Sequence, residues 1–190
     1  MLPDDALASL VERHKATQNR IISRAAPRIA GAWDDLESID RDQVDRFLAS
    51  IAPFLAAAKK ASFTAAVAFY STIFETRPPA IPISEIATEY AGLTPFTATW
   101  HALDEGRPYA EAVQAGRSIA EAQTSRFVVG TGRQTGDAVA TATGQRVRWR
   151  RVPSAGACPF CTNAAGQLYR TAATADFGHD RCGCAAVPTA

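Results

Sequence analysis

The chain has 190 residues, of which 47% are hydrophobic and 21% are charged, a composition typical of a packed globular protein. Twenty basic residues against nineteen acidic ones leave a net charge of +1, which excludes polyanion binding through overall charge and leaves only local patches. The most apolar stretch, residues 51–74, is interrupted by Pro53 and two adjacent lysines, so we expect no membrane span. The acidic residues Asp4 and Asp5 stand where a secretory signal would be basic, and we expect a soluble protein made in the cytoplasm.

Cysteine content and charge divide the chain into two zones. All four cysteines lie among the last 33 residues. Residues 146–190 contain six arginines and two aspartates, a charge of +4, whereas residues 1–145 contain 14 basic and 17 acidic residues, a charge of −3. We therefore predict a helical body over residues 1–145 and a β-rich Cys/His module over residues 146–190.

The first half of the body is predicted to form two long helices, because its apolar residues recur at helical spacing. The first helix is expected to begin near Asp5, and Pro27 is expected to kink it or to end its regular part. The second is expected to begin at Asp40, because Asp40 and Gln43 have the spacing of a capping box. The prolines at positions 78 and 79 should end it.

Shorter helices are predicted in the second half of the body, each delimited by capping residues, proline or glycine. We expect helices over residues 84–92 and 94–106, and a third that begins at Pro108 and continues to Phe127. Residues 130–144 are rich in glycine and threonine and show no clear period, so no element is predicted there.

From residue 146 the apolar residues recur at every second position instead of at helical spacing. Residues 146–150 alternate arginine with apolar residues, which predicts a half-buried strand with Val147 and Trp149 turned inward. Residues 166–170 and 184–187 are further strand candidates. The predicted fold class is α+β, a mostly α-helical body with a small C-terminal β-hairpin module that needs a structural metal because it has too few apolar residues for a core of its own.

The metal prediction rests on a Cys/His cluster within the module. Two cysteines, Cys158 and Cys161, have the spacing of a zinc knuckle, and His179, Cys182 and Cys184 follow after a short interval. Zinc prefers four ligands of this kind in a closed tetrahedral site. The five residues therefore predict a structural Zn²⁺ site, and the sequence leaves open which four of them bind the ion.

Other interpretations of the cysteines are two disulfides, a redox CxxC pair and free structural thiols. The lack of a secretory signal disfavours disulfides, and the lack of a βαβ context disfavours the redox pair. A thiolate-rich site is usually closed, so we expect the metal to be structural and not catalytic.

His14 and His101 lie alone on predicted helices. No catalytic residues are predicted, and the protein is not expected to be an enzyme or to bind a small-molecule substrate.

The first predicted strand carries a set of basic residues. Arg146, Arg148 and Arg150 alternate along one face, and Arg151 is expected to begin the turn that follows. One interpretation is an ordinary solvated strand face. The other is that the four arginines form a contact patch for nucleic acid or for an acidic protein surface.

The C-terminal pattern resembles that of a known protein family. Its characteristic run consists of Trp149, Cys158-Pro-Phe-Cys161, Gly166-Gln-Leu-Tyr169, His179-Asp-Arg-Cys182-Gly-Cys184 and Pro188. This run is similar to the motif of the MuF-like minor head proteins of tailed bacteriophages, in which an alanine-rich helical region precedes a CxxC segment and a terminal HxxCxC. The resemblance is specific over about the last 45 residues.

The resemblance implies a structural component of the phage virion that acts in head morphogenesis and in DNA packaging or ejection. It implies a location in the head interior or at the portal vertex, after assembly in the host cytoplasm. The implied partners are the portal, other head proteins and packaged DNA. Two alternatives remain open, a nucleic-acid-binding zinc module with a helical oligomerisation domain and a head maturation protease.

Overall fold

The computed structural model describes residues 4–153, 159–172, 174–175 and 185–189. These residues are mostly helical and include a small antiparallel sheet near the C-terminal end, which agrees with the predicted α+β class. A single turn of 3₁₀ helix lies between the second and third α-helices. In chain order the elements are α1 (Asp4–Asp34), α2 (Asp42–Ile73), the 3₁₀ turn (Ile83–Glu85), α3 (Leu93–Asp104), α4 (Tyr109–Ala142), β1 (Arg148–Val152), α5 (Pro159–Ala164), β2 (Leu168–Tyr169) and β3 (Ala185–Thr189).

As the sequence predicts, α1 begins near Asp5 and α2 ends before the two prolines at 78 and 79, while α2 begins at Asp42, two residues after the predicted Asp40. Asp40 Oδ1 accepts hydrogen bonds from the backbone N–H groups of Asp42 and Gln43, at 3.1 and 3.2 Å, so its carboxylate satisfies two amides that have no partner within the helix. Pro27 lies inside α1 and Pro53 inside α2 without ending either helix.

Two predictions for the second half of the body are wrong. Residues 84–92 contain only the last two residues of the 3₁₀ turn, after which the chain runs without regular structure and buries Ile86. Residues 130–142, for which no element was predicted, complete α4. Two glycines of this helix allow close packing: a Cβ at Gly116 would contact the Pro95 carbonyl oxygen at 2.9 Å, and one at Gly136 would lie 2.6 Å from the Tyr70 ring.

The three long helices α1, α2 and α4 pack side by side, and α3 packs against α4. The core runs along the bundle as three clusters of buried apolar residues. The end near the α1–α2 turn contains Trp33, Phe47 and Phe96, whose rings meet edge to face at 4.9–5.7 Å between centroids. Phe127 and Val128 of α4 lie in the middle cluster.

The sheet closes the opposite end of the bundle. Its strand order is β2-β1-β3, and β1 pairs antiparallel with both neighbours. Trp149 of β1 is buried against Tyr70 of α2, with 5.5 Å between ring centroids, and the Tyr70 hydroxyl donates a hydrogen bond to the Ala186 carbonyl of β3. The sheet and helices therefore share one hydrophobic cluster. The division of the chain at residue 145 stays a prediction.

Within the described residues, one helix, α2, is long and apolar enough to cross a membrane by length and composition. Core helices of soluble proteins pass the same test, and α2 packs against both α1 and α4. The expected lack of a membrane span stays a prediction.

Candidate metal centre

One of the five predicted metal ligands lies among the described residues. Cys161 is on α5, and its side chain is buried. The other predicted ligands, Cys158, His179, Cys182 and Cys184, lie outside the described residues. In the part of the chain that the structure describes, no group of three or more His, Cys, Asp or Glu side chains is placed to hold a metal ion.

Arg151 of β1 contacts the Cys161 sulfur directly. Its Nη1 donates a hydrogen bond to Cys161 Sγ at 3.3 Å. An adjacent positive charge favours the deprotonated sulfur, which is the form that binds a metal ion. The environment of Cys161 is thus compatible with a thiolate ligand.

The same guanidinium reaches a second segment of the module. Arg151 Nε donates a hydrogen bond to the Ala175 carbonyl at 2.9 Å, and its Cζ lies 6.0 Å from the centre of the Phe160 ring. Only 2% of Arg151 is exposed. Arg151 therefore connects β1 to α5 and to Ala175, which directly precedes residues 176–184. In the sequence, residues 176–184 contain the three later candidate ligands.

The sheet register brings together two described residues that lie close in sequence to the ligand-bearing segments. Val152, the last residue of β1, pairs with Ala185, the first residue of β3. In the sequence, 154–158 follows β1 closely, and Cys184 immediately precedes Ala185. The described residues that flank both segments therefore meet at one end of the sheet, next to Arg151 and Cys161.

The four predicted contact arginines are in different environments. Arg146 and Arg148 are exposed, and Arg150 is partly buried. The prediction that Arg151 begins a turn is wrong, because β1 continues to Val152 and the two-residue period puts Arg151 on the same face as Trp149. This alternation was visible in the sequence and is the signal that would have identified Arg151 as an interior residue.

The two histidines of the body are not part of this centre. His14 of α1 stacks on Phe69 at 4.1 Å between ring centroids, and burial lowers its pKa from the usual 6.5 to about 4. His101 is on the exposed side of α3, with its Nδ1 3.3 Å from a Glu105 carboxylate oxygen.

Comparison with known proteins gives one family match. A family model described as VG15 protein matches residues 6–190, which include both the helical bundle and the Cys/His segment. No curated protein and no solved structure gives a significant match.

Proposed function

The chain belongs to the VG15 protein family, a family of phage proteins, and from that membership we propose that it is a minor head protein of a tailed phage. In this proposal it is a structural virion component associated with the portal. It assists head assembly and the packaging or ejection of DNA, and it carries no catalytic site.

The observation that carries the proposal is the extent of the family match. It covers the helical bundle and the C-terminal segment together, and that segment contains the CxxC and HxxCxC pattern that resembles the MuF-like minor head proteins. The sheet is buried against α1, α2 and α4, so the two matched parts share one hydrophobic core.

The proposal includes a structural Zn²⁺ held by four residues from Cys158, Cys161, His179, Cys182 and Cys184. The donor set fits zinc, because thiolate and imidazole are its preferred structural ligands. The buried Cys161 with a guanidinium on its sulfur supports this assignment. When bound, the ion would cross-link the segments that flank β1 and β3.

The zinc proposal is tested by metal analysis of the reduced, purified protein and of five single variants, one for each candidate ligand. We expect about one equivalent of zinc in the unchanged protein and its loss in four of the variants; the fifth variant identifies the residue that does not bind. His101→Ala, a histidine substitution on α3, is the control and should retain zinc. Reduced protein without zinc would show that the proposal is wrong.

A second candidate function is a nucleic-acid-binding zinc module with a helical oligomerisation domain. The exposure of Arg148 on β1 and of Arg146, two residues before the strand, favours it. It predicts DNA affinity that falls steeply with salt and is lost in Arg148→Ala.

The minor-head proposal is tested by quantitative mass spectrometry of purified virions and of particles that have ejected their DNA. A few copies of the chain per virion are expected. Loss from emptied particles would mean that the chain leaves with the DNA, and retention would indicate an anchor at the portal or shell. Absence from virions would contradict the proposal and favour the nucleic-acid-binding module or a maturation protease that acts before the virion is complete.

A further inference from the structure

The outer face of α1 carries a row of arginines. Residues 13–33 contain five lysines and arginines and no aspartate or glutamate. Lys15 is buried, with its Nζ on Glu12 and on the Pro153 carbonyl oxygen. The other four basic residues, Arg13, Arg20, Arg24 and Arg28, are all exposed.

These four arginines lie on one side of the helix. At 3.6 residues per turn their positions fall within about 80° of the helix circumference, and they span about 22 Å along its axis. The exposed residues between them are small and uncharged, namely Ala16, Asn19, Ser23 and Pro27. We call the surface formed by the four exposed arginines the α1 arginine face.

No carboxylate of the described residues forms an ion pair with the α1 arginine face. Arg13 donates a hydrogen bond to Ser9, and the described salt bridges involve none of the four arginines. The acidic residues instead gather beyond the face: residues 34–45 contain six aspartates and glutamates and one arginine. The positive surface is therefore bounded by a negative one at the turn between α1 and α2.

We propose that the α1 arginine face binds the phosphate backbone of double-stranded DNA without sequence preference. A DNA duplex carries one negative charge per about 1.7 Å of its axis. Along the roughly 22 Å of the α1 arginine face, a duplex therefore offers enough phosphates to pair with all four arginines. Arginine is well suited to phosphate, because its planar guanidinium can donate two parallel hydrogen bonds to phosphate oxygens. The acidic residues 34–45 repel DNA and confine the contact to α1.

This inference deepens the proposed head function, on which it rests for the identity of the DNA as the packaged genome. It moves the expected contact from β1, where Arg151 is buried, to α1. The side of the bundle formed by the outer face of α1 then contacts DNA, while the sheet end remains available for other partners.

The test measures the affinity of the purified full chain for a fluorescent duplex of about 30 base pairs by anisotropy, over a range of salt concentrations. We expect log K to fall against log salt with a slope of about −4, one phosphate contact for each arginine. The triple variant R20Q/R24Q/R28Q should reduce the steepness by about 3 and weaken binding at low salt at least about tenfold.

The matched control is R41Q/R77Q/R107Q, which removes the same charge from exposed arginines outside α1. It should bind DNA nearly as well as the unchanged chain, and so should R146Q/R148Q. Circular dichroism establishes that each variant is folded; if the triple variant is not, the three single substitutions are measured, each with an expected reduction of about 0.9 in slope.

Three results would overturn the proposal: no DNA binding by the unchanged chain, equal losses in the triple variant and its control, or competition by poly-glutamate as strong as that by DNA at equal charge. The last result would indicate an acidic protein partner instead. Because purified protein is used, failure here leaves the virion analysis unaffected, and absence from virions leaves the DNA affinity unaffected.

Discussion

Two regions of the molecule concentrate basic residues, and the fold uses them in opposite ways. On α1 the arginines at 13, 20, 24 and 28 all face outward, and the basic residues that face inward are His14 and Lys15. On β1 the most buried basic residue is Arg151, and its guanidinium binds the Ala175 carbonyl and the Cys161 sulfur. The local density of positive charge is similar, and the environments differ.

The difference shows that the period of the element decides which basic residues are accessible. Residues three, four and seven apart share a helix face, so the spacing on α1 exposes all four arginines together. Residues two apart share a strand face, so Arg151 follows Trp149 into the core. Basic residues that are close in sequence should therefore be assigned to a binding surface only after the repeat of their helix or strand shows which of them share an exposed face.

The strongest way to break this comparison is to remove the interior arginine. Arg151→Met keeps much of the side-chain length but leaves the Ala175 carbonyl without this donor. Hydrogen bonds to charged groups contribute about 1.5–3 kcal/mol each, and we expect the free energy of unfolding to fall by about 2–4 kcal/mol. Urea denaturation followed by circular dichroism measures the change.

Arg148→Met, on the exposed face of the same strand, is the control for this experiment. Surface substitutions usually change stability by less than about 0.5 kcal/mol, and we expect that range here. Equal effects of the two substitutions would show that Arg151 does not have the structural role assigned to it.

The inner face of α1, unlike its outer face, carries a buried titratable residue, His14, that should make the free energy of unfolding depend on pH. Burial lowers the pKa of His14 to about 4, whereas in the unfolded chain it is near 6.5. Between these values the unfolded state binds more protons, so stability is full above pH 6.5 and falls as the pH decreases towards 4, by at most about 3 kcal/mol. Burial raises the pKa of Tyr70, which lines the same small cavity, so its hydroxyl stays neutral over this range.

The measurement is urea denaturation at several pH values between about 7 and 4. Carboxylates also titrate in this range, so the informative quantity is the difference between the unchanged protein and His14→Phe, which keeps the stacking on Phe69 and should lose part of the pH dependence. His101→Gln, at an exposed position on α3, should retain the full profile. A His14→Phe profile that coincides with that of the unchanged protein would contradict the buried, neutral state of His14.

A smaller effect is expected at the junction between the two regions. The Tyr70 hydroxyl donates to the Ala186 carbonyl at 3.2 Å, and Tyr70→Phe removes this bond and little else. We expect a loss of about 1 kcal/mol in the free energy of unfolding, measured in the same way. Tyr109→Phe, at an exposed position on α4, should cause no measurable change; a Tyr70→Phe protein as stable as the unchanged one would show that the bond does not stabilise the junction.

The features that the sequence predicted well are those set by local chemistry. The Asp40 cap, the end of α2 before the double proline and the three C-terminal strands all depend on residues within a few positions of one another. The β1 prediction was two residues early, and that displacement removed Arg151 from the strand and misplaced its side chain.

The features that the sequence did not predict are set by distant contacts. Residues 84–92 have helix-boundary signals, but Ile86 is buried while the chain there is not helical. Residues 130–142 lack a helical pattern, yet they are helical because they pack against α1 and α2. For the candidate metal centre, the sequence predicted Cys161 as a candidate ligand, and only the structure identified Arg151 as its neighbour.

The glycines of α4 also affect the order in which the chain folds. Four glycines lie within this helix, and each costs about 1 kcal/mol of helix propensity relative to alanine, so α4 is a weak helix before it docks. Its threonines at 124, 131 and 135 bond back to carbonyls four residues earlier, which satisfies their buried hydroxyls once the helix has formed. We therefore expect α1 and α2 to associate first and to act as the template on which α4 becomes helical. In native-state hydrogen exchange the amides of residues 130–142 would then open together as one cooperative unit, at a lower free energy than the centres of α1 and α2.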